Sequence, residues 1–141
     1  MAQLLFYPIA FYSISVAGYV LYYLQTNSTW FDVAYATNLG GLFMNMVAFI
    51  FLISEHFSKQ RSKDDLILLR MVFNMLAIFM FGGNALALFS QLGFSRPQLG
   101  IAPWISGVGL ISILFPELLS LLQKNNPQER ARETLKKETV Q

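Results

Sequence analysis

Four long apolar runs leave this chain few ways to fold. They cover about residues 3–24, 30–54, 66–91 and 103–122. Each reaches the roughly 20 residues that an α-helix needs to cross a bilayer. Lipid offers no water to backbone N–H and C=O groups, so each run must close its hydrogen bonds within itself, as a helix does. Only 13% of the residues are charged, against about 25% in an average soluble domain, and these charges cluster between and after the runs. The sequence therefore predicts an all-α integral membrane protein. Residues 1–123 form a bundle of four transmembrane helices, and residues 124–141 form a charged tail with a short C-terminal helix.

Local signals mark the ends of the runs. Thr29-Trp30-Phe31-Asp32 places a capping hydroxyl three residues before an acid, just ahead of the second run. Ser62-Lys63-Asp64-Asp65 repeats the arrangement before the third. Pro103 suits the first turn of the fourth helix, where its missing N–H costs nothing. Trp30, Trp104 and Tyr22-Tyr23 fall at one membrane interface, as aromatic belts do. In the tail, Asn126 can cap and Pro127 can open a helix, with Glu129 completing a box-like start. That helix reads either as a solvated element or as a docking handle for a partner or an anionic lipid.

Charge sets the expected orientation. An even number of spans puts both termini and the 55–65 segment on one side. That side carries Lys59, Arg61, Lys63, Lys124, Arg130, Arg132, Lys136 and Lys137, while the other carries Arg96. The positive-inside rule then makes both termini cytoplasmic. The first run is read as a span and not as a cleaved signal peptide, because it lacks a basic start and is crowded with tyrosines.

Polar residues inside the runs are the candidate functional positions. If the second and third spans form an antiparallel hairpin, residues at equal depth have numbers summing to about 120 across the 55–65 loop. Asn38 with Asn84 sums to 122, and Asn45 with Asn74 to 119. Gly40-Gly41 and Gly82-Gly83 also match in depth. The expectation is an interface in which glycines admit close backbone approach and asparagines bond across it. The alternative is that the Gly-Gly pairs weaken the helices and open them to a polar cavity, as in transporters with broken helices.

Arg70 and Glu117 each lie about one turn inside their spans at matching depth, so an ion pair between them is geometrically open. Pro116 precedes Glu117, removes a helical N–H and crowds the Ser112 carbonyl, so a kink there would leave an acceptor beside Glu117. Three stripes can turn toward one interior: Tyr12, Ser15, Tyr19 and Tyr22; Arg70, Asn74, Ala77, Phe81 and Asn84; and Ser106, Gly109, Ile113, Glu117 and Ser120.

Several functions are excluded. With no cysteine there is no thiolate metal site or thiol nucleophile. His56, the single histidine, is expected in the cytoplasmic loop and cannot build a multi-histidine metal site. No nucleotide-binding or hydrolase motif is present, so no enzyme activity, cofactor or metal is expected. A net charge of +2 gives no footprint for nucleic acid. The remaining partners are the lipid bilayer and either other membrane subunits or copies of the chain. The leading expectation is a non-catalytic subunit or scaffold of a membrane assembly. The alternative is a homo-oligomeric ion or small-solute channel or transporter using Arg70 and Glu117. A lipid or quinone site with Glu117, Tyr19 and His56 as polar handles is a third possibility.

Overall fold

The computed structural model describes residues 2–25, 27–58, 65–94 and 96–140, without the side chains of residues 2, 3, 65, 66 and 129. All regular structure among the described residues is helical: α1 Ala2–Gln25, α2 Ser28–Ser58, α3 Asp65–Phe89, α4 Ala102–Lys124 and α5 Pro127–Val140. The first four are long and apolar enough to cross a membrane. They pack as a ring, in which α1 and α3 each touch both α2 and α4.

The helix ends follow local chemistry, with corrections. The cap of α2 is Asn27 and not Thr29: the Asn27 Oδ1 accepts from the Thr29 N–H at 3.1 Å, and its C=O accepts from the Trp30 N–H. Asparagine is the stronger cap, and its position places Thr29 within the helix. The second helix also runs past residue 54 to Ser58. Its 31 residues span about 46 Å at the helical rise, well beyond a hydrocarbon core of about 30 Å. His56 therefore lies in the last turn of α2, edge-on to Phe57, and not in a loop. Glu55, His56 and Ser58 extend the helix because helical hydrogen bonding needs no apolar side chain outside lipid. The cap expected at Ser62–Asp64 lies outside the described residues.

Pro103 occupies the first turn of α4. Asn126 caps α5, accepting the Gln128 N–H at 3.2 Å. Pro8 and Pro116 both sit within helices and are fully buried. The segment between α3 and α4 is tied to α1 by the Tyr22 hydroxyl, which donates to the Pro97 carbonyl at 2.7 Å. Gly100 takes φ +54° there, a left-handed conformation that suits glycine.

The core has three tiers. At the end holding the α1–α2 connection, Tyr19, Tyr22, Phe31, Ala34 and Leu88 cluster under Leu99. In the middle, Tyr12 packs with Ala77, Phe81 and Ile113. At the opposite end Leu5, Ala48 and Leu52 meet. Large apolar side chains such as Phe43, Ile50, Phe79, Leu86 and Ile111 point outward. In water such a surface would aggregate; against acyl chains it is the expected exterior.

Candidate intramembrane polar site

The three polar stripes share one interior except at Ser120, which is half-buried and lines a separate cleft at the C-terminal end of α4. Tyr12, Ser15, Tyr19 and Tyr22 of α1 are buried, as are Asn74, Ala77, Phe81 and Asn84 of α3 and Ser106, Gly109 and Ile113 of α4. What they bond to differs from the hairpin expectation.

Arg70 and Glu117 meet. Nε lies 2.8 Å from Oε1 and Nη2 lies 3.3 Å from Oε2, a two-point contact between α3 and α4. The side chains keep 16% and 25% of their exposure. Such fork-to-carboxylate geometry fixes orientation as well as charge. Within an apolar span it cancels two charges that would each be costly alone. Pro116 is buried directly before Glu117. The Ser112 hydroxyl donates back to Val108 O at 2.8 Å within its own helix.

The asparagine tiers require correction. Asn38 does not bond Asn84. The Asn38 Nδ2 donates to the Tyr19 hydroxyl of α1 at 3.3 Å. The Asn84 Nδ2 donates to Ala102 O at 3.0 Å and to Ser106 Oγ at 2.6 Å, both on α4. Asn74 and Asn84 lie ten residues apart, so they face directions about 80° apart at 100° per residue, and one contact with α2 cannot use both. Asn45 does reach α3: its Nδ2 donates to the Tyr12 hydroxyl at 3.1 Å and, at 3.5 Å, to the backbone carbonyl of Asn74. The amide oxygens of Asn38, Asn45 and Asn74 are buried without a hydrogen-bond donor among the described residues.

The glycine pairs also separate. Gly40 and Gly41 face α1, not α3: a Cβ on Gly41 would lie 2.6 Å from the Tyr12 ring, and one on Gly40 would lie 3.2 Å from Phe11. A Cβ on Gly82 or Gly83 would meet no atom within 4 Å. Gly83 instead lines an outward groove of about 530 Å³ between α3 and α4, with Phe79, Asn84, Ala87 and Ile101. Two further glycines make close contacts. A Cβ on Gly18 would lie 2.9 Å from Ala34 Cβ and 3.1 Å from its Cα, and one on Gly109 would lie 2.9 Å from the Phe81 ring.

The α1 tyrosines are the partners that the α2–α3 register could not find. Tyr12 with Asn45 and Tyr19 with Asn38 both sum to 57. The depth rule applied to the α1–α2 hairpin gives sums near 53, which matches Gly41 with Tyr12 and Gly18 with Ala34; the Tyr–Asn bonds lie about one turn off that register, within reach of long tyrosine side chains. Ser15 Oγ also ties α1 to α2, donating to Ala34 O at 2.7 Å. Tyr35 ties α2 to α3 through Ala85 O at 3.2 Å. At the centre the Tyr12 and Phe81 rings stack with centroids 3.6 Å apart, bridging α1 and α3 across the bundle.

This arrangement holds buried polar groups in place and closes the middle of the bundle with aromatic rings. Among the described residues no three His, Cys, Asp or Glu side chains come together as a metal site.

Residues 2–90 match a family described as "Predicted membrane protein (DUF2231)". The chain belongs to the DUF2231 family. No curated protein and no solved structure matches it. The DUF2231 match takes in α1, α2 and α3, and so includes Arg70, the four asparagines and both Gly-Gly pairs. Glu117, Pro116 and Ser106 lie in α4, beyond it.

Proposed function

We propose that the protein is a non-catalytic, multi-pass subunit or scaffold of a membrane assembly, with both termini on the cytoplasmic side. One observation carries the subunit reading: the contrast among the glycines. Gly18, Gly40, Gly41 and Gly109 are each filled by a neighbouring helix of the same chain, whereas Gly82 and Gly83 have nothing within 4 Å. Gly83 and the exposed Ala87 lie four apart on one face. Such small-xxx-small faces let transmembrane helices approach closely. The occupant proposed is a transmembrane helix of another protein, seated along the α3–α4 groove. The excess of Lys and Arg on the tail side supports the orientation.

Gly83→Leu tests the subunit reading, because a Cβ there would have nothing within 4 Å and the rest of the side chain would enter the open groove. The variant is expected to keep the wild-type melting profile and to lose a stoichiometric partner recovered with wild type in mild detergent. A stable homo-oligomer without a partner, or unchanged partner recovery with Gly83→Leu, overturns the reading.

A second reading, a homo-oligomeric channel or transporter, draws on the unpartnered amide oxygens of Asn38, Asn45 and Asn74. These could take donors from a small permeant along the interior. The Tyr12–Phe81 stack fills the bundle centre, so a pathway would need several copies or ring movement. On this reading, proteoliposomes show a proton, ion or small-solute flux that Glu117→Gln alters at least several-fold. Absence of flux with wild type removes it.

A further inference from the structure

The C-terminal end of α4 and the helix that follows it form a second polar feature, separate from the interior. Asn125 and Asn126 turn the chain, and the Arg130 Nε donates to Lys124 O at 2.7 Å, pinning α5 beside the end of α4. Between the two helices lies a cleft of about 750 Å³. Ser120 and Gln123 form its α4 wall. Lys124, Arg130, Arg132 and Lys136 surround it, against a single described carboxylate, Glu133. Arg132 and Lys136 are four residues apart and so share one face of α5. Lys137, next in sequence, is not on the cleft wall.

The level of the cleft points to its ligand. Leu118, Leu121 and Leu122 are exposed at the same level on the other faces of α4, so this stretch still faces acyl chains. One turn later the chain is charged. The mouth therefore lies where headgroups lie. α5 exposes Leu135 and Val140 as its large apolar side chains, too few to bury it in the membrane. Its attraction to the surface is electrostatic.

We propose that the α4–α5 cleft is a site for the phosphate of an anionic phospholipid headgroup. Arg132 and Lys136 contact the phosphate from α5, and Lys124 contacts it from the end of α4. The proposal rests on membrane residence and not on the subunit reading.

The test uses the purified full chain in detergent, titrated with phosphatidylglycerol, phosphatidylcholine or inorganic phosphate, with bound lipid read by native mass spectrometry. Phosphatidylglycerol is expected to bind in preference to phosphatidylcholine. Arg132→Gln and Lys136→Gln should each weaken it about fivefold, the factor matching about 1 kcal/mol per basic residue near an anionic surface. Lys136→Arg should retain binding. Lys137→Gln, the same charge change one residue away, should leave it unchanged. Equal losses for Lys136→Gln and Lys137→Gln would show diffuse attraction to a basic tail and overturn the site. Loss of the preference over phosphatidylcholine overturns it as well. Inorganic phosphate binding as tightly as the lipid overturns the lipid assignment.

Discussion

Arg70→Glu alone is expected to cripple the protein, and Arg70→Glu combined with Glu117→Arg is expected to restore most of what is lost. The single reversal places two carboxylates where a guanidinium and a carboxylate now lie 2.8 Å apart. Breaking a buried pair costs about 3–5 kcal/mol. The partial exposure of both side chains favours the low end, about 3 kcal/mol, because headgroups and water screen part of the charge. Glu117→Arg should behave alike. The double variant exchanges the charges and regains the pair, less whatever fit the new side chains lack. The measurement is the unfolding midpoint in a denaturing-detergent titration, alongside monodispersity on size exclusion. Two harmless single reversals would show that the pair contributes nothing to the fold.

Gly18→Leu should be the most damaging of the glycine substitutions. A Cβ added at Gly18 would lie 2.9, 3.1 and 3.2 Å from the Cβ, Cα and N of Ala34. Backbone atoms cannot rotate aside as the far end of a side chain can, so α1 and α2 must separate. Separation also strains the bond from Ser15 to the Ala34 carbonyl. Overpacking a tight contact costs about 1–3 kcal/mol, and the upper end is expected here. Gly82→Leu is the matched control, since a Cβ there would have nothing within 4 Å. Both changes improve intrinsic helix propensity, so a difference between their unfolding midpoints reports packing. Equal midpoints would mean that α1 and α2 are not held at this distance.

The spans are legible in the sequence because lipid imposes one rule on every residue in them: the backbone must bond to itself. That rule ends at the membrane surface. Past residue 54 the hydropathy of α2 gives no reason for the helix either to stop or to continue, and it continues to Ser58. Arg70 and Glu117 are legible as a pair because two charges of opposite sign at one depth have few other partners in hydrocarbon. The asparagines are harder. Depth says which residues can meet but not which side of a helix they occupy, and Asn38 and Asn84 match in depth while facing different neighbours. The α1–α2 hairpin carries the better signal, two Tyr–Asn pairs in one register, and Tyr12 and Tyr19 are legible as an inward stripe, but a stripe does not say which helix its hydroxyls will bond. Gly82 and Gly83 match Gly40 and Gly41 in depth, yet the second pair packs on α1 and the first on nothing in the fold. Absence of a neighbour within the fold leaves no trace in the sequence.

The position of α4 bears on how the molecule is made. A chain inserted from its N-terminus completes the Tyr12–Asn45, Tyr19–Asn38 and Ser15–Ala34 bonds as soon as the first hairpin is in lipid. α3 arrives with obligations that the hairpin does not meet: Arg70 takes its carboxylate from Glu117, and Asn84 takes its acceptors from Ala102 and Ser106. All three lie on α4, which is synthesised after α3. Until it joins, a three-span intermediate holds an uncompensated cation and an unbonded amide in the bilayer. Folding of α3 is thus tied to α4: the third span closes its buried charge and its buried amide only when the fourth packs against it.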